Sequence, residues 1–447
     1  MQEIKFYSTN LIAENVNVKE AVLKGLAEDK GLYMPDHIPT LSNNEFVALK
    51  NADYPEIAFT ILKKFLDGFV SDNELKKICN EAYDFPVPIE KITDNFFILR
   101  LDKGPTAAFK DFAARAMARL MELFLEQENK KLLILTATSG DTGSAVANAF
   151  HGCESIKLIV LFPEKEVTDR QRKLMTTLGD NISVVAIDGK FDDCQALVKD
   201  AFVDSDLADL NLSSANSINF ARLMPQIVYY VYAYLKLDKE INICIPSGNF
   251  GNLMGGLIAK KMGVPIKKFI VAVNENDEVA NFFKTQLYEK IEPSKNCISN
   301  AMNVGHPSNL SRLIALYDGI MDEKGNIKKM PDMEKIHRDM NCYSVTDEET
   351  KHEIKSIYEK YGVIVEPHGA VGLKAMENYI TETSDSTPVV CVETADPAKF
   401  PEVIREAINI DPPLPESMKE AMEKEENYER MACDYETFKK NIIDLSN

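Results

Sequence analysis

The sequence predicts an α/β protein built on two open parallel sheets, with a smaller, mainly helical N-terminal domain. Three observations carry this. From about residue 130 short β-branched runs alternate with helical patterns, the signature of a parallel sheet covered by helices. The alternation begins again with INICIP at 241–246 and resumes with STPVVCVET at 386–394, so two sheets are implied. Residues 1–95 instead carry helix-like segments such as VNVKEAVLKGLAEDKG and NELKKICNEAYDF, with few strong strands. The 447 residues suit this plan, since about 150 residues per domain gives two or three domains. The expected domains are 1–95 at the N-terminus, 96–235 as the first α/β domain, and 236–447 as the second, ending in a helical tail.

Taken in order, KGPTAAFKDFAARAMARLMELFLEQ opens with Gly-Pro-Thr, a helix start signal, and continues without breakers. KLLILTAT (131–138) is a strand, SAVANAF a helix, IKLIVLF a strand, and TDRQRKLMTTLG a helix ending at Gly179. NISVVAID and DDCQALVKDAF repeat the unit. In the second series INICIP is a strand, LMGGLIAKKMG a helix and IKKFIVAVN a strand. Residues 315–360 turn polar, and TDEE (346–349) supplies a capping box for the helix that follows, so this stretch is an elaboration on the second domain. After DPPLP (411–415) an acid-rich tail spaces Met418, Met422, Tyr428 and Met431 roughly as a helix does, which predicts a solvated surface helix. The chain has no internal repeat and no low-complexity segment.

Composition excludes several classes of function. Apolar residues make up 45% and charged residues 27%, with 20 Gly and 20 Pro, the balance of an ordinary globular protein. A formal net charge of −19 repels nucleic-acid phosphates and anionic headgroups, so neither nucleic acid nor membrane is an expected partner. A site for an anionic small molecule then needs locally concentrated donors. The eight cysteines (Cys79, Cys153, Cys194, Cys244, Cys297, Cys342, Cys391, Cys433) are far apart and form no CxxC pair, which indicates reduced thiols in a cytoplasmic protein. No apolar run approaches the roughly 18 residues of a membrane span, and MQEIKFYSTN lacks the pattern of a signal peptide. The six histidines (His37, His151, His306, His337, His352, His368) show no HxH or HExxH spacing, so a metal hydrolase is disfavoured and no metal is expected. His306 and His368 lie in GHPSN and EPHGA, loops able to border a cleft, although a lone loop histidine is more often structural than catalytic.

The chemistry begins with a lysine. Phe109, Phe112, Ala113, Ala116, Met117, Leu120, Met121 and Phe124 form one apolar helical arc. An advance of about 100° per residue puts Asp111, Arg115, Arg119, Glu122 and Glu126 on the other side. Lys110 falls inside the apolar arc. A lysine there either snorkels or pairs at the edge, or has an amine that is used chemically. Two glycine-containing turns follow strands: TATSGDTGSA (136–145), with Ser139, Gly140, Thr142 and Gly143, and PSGNFGNLMGG (246–256). In each, backbone N–H groups converge on an anion-sized space. One such turn is weak evidence, and neither has the Gly-Lys-Ser/Thr of Walker A or a GxGxxG fingerprint. The lysine, one anion turn in each sheet and a strand ending in VETADPAKF together suggest pyridoxal phosphate. That cofactor needs a lysine for its Schiff base, a phosphate cradle and a partner for its ring nitrogen.

Many short motifs in order carry a family resemblance: FYST, GLAEDKGLYMP, GPTAAFKD, ATSGDTGSA, MTTLGDNI, FDDCQ, NSINFAR, PSGNFGN, NENDE, EPHGAVG and ETADPAKF. Over nearly its whole length the chain resembles the threonine synthases of the shorter bacterial and fungal kind, which are fold-type II pyridoxal phosphate enzymes with a tryptophan synthase β-like fold. The resemblance implies pyridoxal 5′-phosphate as cofactor. It implies conversion of O-phospho-L-homoserine and water to L-threonine and phosphate, the last step of threonine biosynthesis; for the assembly the expectation stays open between monomer and homodimer. Lys110 then looks like the catalytic Schiff-base lysine, and Gly248, Asn249, Phe250, Gly251 and Asn252 like the loop around the cofactor phosphate. Thr394 resembles the partner of the ring nitrogen, a neutral hydroxyl that limits ring protonation. Thr138, Ser139, Gly140, Asp141 and Thr142 resemble the loop that receives the substrate α-carboxylate, and Asn216, Ser217, Asn219 and Arg222 the stretch that holds the substrate phosphate. Asp396 departs from the family, which commonly has histidine there (TAHPAKF).

From position alone, a cap on the helix that follows is the favoured reading of both Thr394 and Asp141. Rival functions are a threonine or serine dehydratase or β-replacing synthase of the same fold type, and a non-catalytic metabolite-binding relative. Arg222 in NSINFAR argues against a dehydratase, whose substrate has no phosphate; Lys110 beside both turns argues against a silent binder.

Overall fold

The computed structural model describes residues 3–446. Both sheets form, and each is covered on both faces. One has six strands in the order Met340–Ser344, Ile266–Val273, Ile241–Pro246, Val389–Glu393, Phe96–Arg100 and Ile89–Lys91. All its pairs are parallel except the last. The other has five parallel strands in the order Glu429–Ala432, Ile182–Asp188, Ile156–Pro163, Leu132–Ala137 and Leu212–Ser213.

Double coverage explains why the strands are apolar throughout. Ile243, Ile245, Val390 and Val392 point into the central core, while Cys244, Val389 and Cys391 face an outer layer that includes the helices Asp347–Tyr361 and Pro367–Thr383. In the five-stranded sheet Leu133, Leu135 and Ala137 face a separate outer cluster beneath the helices Phe191–Val203 and Tyr435–Ser446.

Sheet membership departs from the boundaries expected at 96 and 236. Phe96–Arg100, expected to open the first α/β domain, pairs with Val389–Glu393 in the six-stranded sheet. In exchange the C-terminal tail crosses over: Glu429–Ala432 pairs with Ile182–Asp188, and Phe438 and Ile442 are buried under the next helix. The tail is therefore not a solvated helix. Met418 is buried against Leu174 and Ala107, and the chain then changes from helix to strand to helix. The polar stretch 315–360 likewise supplies an edge strand, Met340–Ser344, before the capping box of Thr346 and Glu349 opens its helix as expected. Strand partners are chosen by contacts remote in sequence, which local patterning does not encode.

The lysine helix runs Lys110–Glu128, starting later than Gly-Pro-Thr suggests. The carboxylate of Asp111 accepts from both the Thr106 hydroxyl (2.6 Å) and the Thr106 N–H (2.9 Å), which tightens residues 104–109 into a turn. Asp111 is consequently buried, not on the polar side as its phase implied. Residues 1–95 do not pack as a separate body. Tyr54 and Phe85 pack their rings against Phe112 of the lysine helix, with centroids 5.4 and 4.9 Å away, so the core is continuous. Among the described residues no helix is long and apolar enough to cross a membrane.

Candidate active site

Strand ends converge on one cavity, as parallel sheets arrange. Residues following Leu132–Ala137, Ile241–Pro246 and Val389–Glu393 line it, together with Lys110, Asn216, Ser217 and Arg222. The lysine is registered by backbone pairing across the cavity floor: Phe109 N–H donates to Thr394 O at 2.8 Å, and Asp396 N–H to Ala107 O at 3.0 Å.

Only 13% of the Lys110 side chain is exposed, with its Nζ 3.8 Å from Asp141 Oδ2 and 4.6 Å from the centroid of the Phe109 ring. Burial pulls its pKa down to about 8; Asp141 opposes the fall, and the positive charges of Lys399 and Arg222 add to it. Burial pushes the Asp141 carboxyl the other way, yet Lys399, 2.7 Å from its Oδ1, and then Lys110 hold it well below the usual carboxylate range. Lys399 is itself wholly buried and donates to Thr106 O at 2.9 Å. Asp141 is thus no helix cap: Gly140 occupies that position, and the carboxylate bridges two lysines.

In the first turn Thr138 Oγ1 accepts the N–H groups of Gly140 and Gly143 at 2.9 and 2.7 Å. Gly140 has φ 129°, and a Cβ there would stand 2.6 Å from the Gln171 side chain, so glycine is required. It lies behind the turn and does not line the cavity; half-buried Ser139 and Thr142 do. In the second turn Phe250 adopts a left-handed φ of 61°, a conformation costing about 1–2 kcal/mol for a residue with a side chain. It leads into the helix Gly251–Lys261. Asn309 Nδ2 braces this turn by donating to Asn249 O at 3.0 Å, and Asn252 Oδ1 accepts the hydroxyls of Tyr229 and Tyr230 at 2.5 Å each.

Arg222 is buried, with Nη1 donating to Ala215 O at 2.6 Å. Burial lowers its pKa to about 10, which leaves it cationic at neutral pH. Its Nε, together with Asn216 Oδ1 and Asn252 Nδ2, has no protein partner. Buried polar atoms are normally satisfied, so three orphans around one cavity mark the place of a polar ligand. Asn219 does not join them. It caps the helix Phe220–Leu223 through Ala221 N–H (2.9 Å) and donates to Val22 O (2.9 Å), which positions Arg222 without touching the cavity. Asp396 is also outside: it accepts from Ala398 N–H at 3.0 Å and opens the short helix Pro397–Lys399.

Sequence reasoning missed Glu366 and Lys399 and left His368 as a loop residue. His368 lines the cavity, whereas His306 is hydrogen-bonded to Tyr288 at 2.6 Å outside it. Thr394 caps no helix; its hydroxyl donates to Glu366 Oε1 at 2.9 Å. The one local signal was Glu366 directly before the Pro367 that opens a helix, an N-cap pattern that says nothing of Thr394. Pyridoxal phosphate fits this donor set: a buried lysine for its aldehyde, amides and a helix start for its phosphate, and a hydroxyl for its ring nitrogen.

Fold and cavity define the class: a pyridoxal-phosphate-dependent enzyme of fold type II, and the family described as pyridoxal-phosphate dependent enzyme matches residues 85–395. The threonine synthase N-terminus family matches residues 5–83 and the threonine synthase C-terminal family residues 369–442. Threonine synthase of Haemophilus influenzae is 39% identical over 421 residues, covering 93% of this chain and 94% of its own. The crystal structure of pyridoxal phosphate-bound threonine synthase from Brucella melitensis superposes with a TM-score of 0.92 at 33% identity, covering 99% of this chain and 100% of its own. Yeast threonine synthase gives 0.89 at 29%, with 99% and 98% covered. The chain belongs to the threonine synthase family.

Proposed function

We propose that this protein is a working threonine synthase that converts O-phospho-L-homoserine and water to L-threonine and phosphate. One observation carries the reading: a buried lysine with lowered pKa stands between two anion-binding turns, beside a buried, half-partnered arginine. Pyridoxal phosphate, held by Lys110, supplies an electron sink for charge developing on the substrate carbons. Lys110, with a pKa of about 8, both accepts and donates protons near neutrality, which suits it to move them at Cα, Cβ and Cγ. Gly248–Asn252 receive the cofactor phosphate, and Thr394 faces the ring nitrogen. Thr138, Ser139, Asp141 and Thr142 line the substrate-carboxylate pocket, and Gly140 shapes it from behind. Arg222, with Asn216 and Ser217, takes the substrate phosphate, which leaves from Cγ while water adds at Cβ. A guanidinium presents paired donors to a dianion, and burial makes them count.

The localisation in this reading is cytoplasmic, supported by eight free cysteines, six of them buried. The assembly is a monomer or homodimer. The test is phosphate release from O-phosphohomoserine by the wild type and by Arg222→Leu. The variant is expected to bind cofactor normally and to lose several kcal/mol of transition-state binding, at about 1.5–3 kcal/mol per charged hydrogen bond. A near-normal kcat/KM removes Arg222 from the site and reopens the dehydratase reading.

A further inference from the structure

Glu366 is wholly buried and caps the helix Pro367–Thr383, but its carboxylate has more partners than a cap needs. Oε1 accepts from Gly369 N–H and from the Thr394 hydroxyl, each at 2.9 Å. Oε2 accepts from His368 N–H at 2.6 Å and, in a shorter contact, from His368 Nδ1. The His368 tautomer follows from its other nitrogen: Ala301 N–H donates to Nε2 at 3.1 Å, so the ring proton is on Nδ1. Every partner but Thr394 can therefore only donate. The Thr394 hydroxyl alone is able either to give Glu366 a proton or to take one, and Thr394 lines the cavity.

We propose that Glu366 is the proton partner of the cofactor's ring nitrogen, acting through the Thr394 hydroxyl; this rests on the assignment of Thr394 to that nitrogen. The Thr394 oxygen would accept from the ring N–H while its own hydroxyl donates to Glu366, and a shift of both protons along this path would exchange the two states. One N–H and one O–H bond break and two O–H bonds form, so that pyridinium and carboxylate become pyridine and carboxylic acid with no change in net charge. Other titratable groups act on the equilibrium. Glu393 Oε1 accepts Glu366 N–H at 2.9 Å from the neighbouring strand, and Lys110 approaches from its helix. Burial, then the Glu366 charge, raise the Glu393 carboxyl well above its ordinary value. Four donors and the start of the helix converge on the Glu366 carboxylate, and the shared proton is assigned to the ring nitrogen. Thr394 backed by this carboxylate does not limit ring protonation as a lone hydroxyl does. Glu366 is accordingly a positioning residue.

Nitrogen NMR of cofactor-loaded protein, with heavy nitrogen in the pyridoxal phosphate ring, tests this at one neutral pH. The wild type is expected at the pyridinium position. Glu366→Gln and Thr394→Val both move the signal toward unprotonated pyridine, and Glu366→Asp, which keeps charge and cap but withdraws the carboxylate by a methylene, moves it part way. A wild-type signal already at the pyridine position overturns the proposal. So does an unmoved Glu366→Gln signal beside a moved Thr394→Val signal, which leaves Thr394 as sole partner. If Thr394→Val is unmoved as well, the assignment of Thr394 itself falls. Should Glu366→Gln not fold, Glu366→Asp decides, and an unmoved signal overturns the proposal.

Discussion

The two glycine-containing turns share a plan and differ in what holds them. Each leaves the carboxyl end of a parallel strand and enters a helix, one after Leu132–Ala137 and the other after Ile241–Pro246. The first carries a buried carboxylate, Asp141, tied by charge to Lys399 from the far end of the chain and to Lys110 beneath it. The second is held by neutral groups: the amide of Asn309, two tyrosine hydroxyls on Asn252, and the left-handed Phe250. A charge-held turn is coupled to whatever changes the charge of its partners, including what Lys110 binds. A turn braced by neutral groups keeps its brace whatever the charge of what binds it. The second therefore suits a resident cofactor phosphate and the first a substrate that comes and goes.

The largest effect is expected at the lysine between them. Lys110→Ala retains the fold, because the change costs little helix propensity, but lowers phosphate release by about 10³-fold or more. Circular dichroism with steady-state kinetics checks both halves, and a near-native rate breaks the scheme. Next comes the contrast in how the turns are held. Lys399→Met leaves the buried Asp141 charge with the more distant Lys110 as its ion-pair partner and the Gln171 amide as its neutral donor, and should cost about 3–5 kcal/mol in urea unfolding. Asn309→Ala, its neutral counterpart, should cost only about 1–2 kcal/mol for lost hydrogen bonds. Equal losses would erase the distinction.

Division of labour gives smaller effects. A Cβ on Gly248 would stand 2.8 Å from Ala301 O, so substituting it disturbs the protein itself, whereas one on Gly251 meets nothing nearer than 3.5 Å. Gly251→Val is therefore the cleaner probe and should weaken cofactor binding by about 10-fold or more by filling the space for the phosphate. Thr142→Ala should leave that affinity alone and raise KM by about 5-fold, for one hydrogen bond of about 1 kcal/mol. The smallest effect is in pH. Only the neutral amine attacks an aldehyde, and burial lowers the Lys110 pKa to about 8, so capture of pyridoxal phosphate by cofactor-free protein should accelerate as pH rises through about 8. Stopped-flow absorbance locates the inflection; one near the ordinary lysine value of 10.5 refutes the lowered pKa.

Much of this was legible in the chain. INICIP at 241–246 forms the strand Ile241–Pro246, Thr346 and Glu349 close the expected capping box, and both turns lie where Gly follows a β-branched run. Lys110 stood out because an apolar arc gave it no reason to be there. Asn219 misled, since a polar residue in a substrate-binding motif and one that caps a helix look alike until the helix is seen. Asp111 misled for a related reason: a helix wheel places it on the polar side, and only the turn back to Thr106 buries it.

Periodicity and turn chemistry act between neighbours, so the sequence by itself determined the kinds of element, the two anion turns and the lysine. The tertiary structure alone decided the rest. Phe96–Arg100 and the tail strand Glu429–Ala432 each join the sheet of the other region, Lys399 crosses to Asp141, and Glu366 stands behind Thr394. These pairs are far apart in the chain, and what joins them is burial: a polar or charged group taken out of water must find a partner wherever the fold brings one.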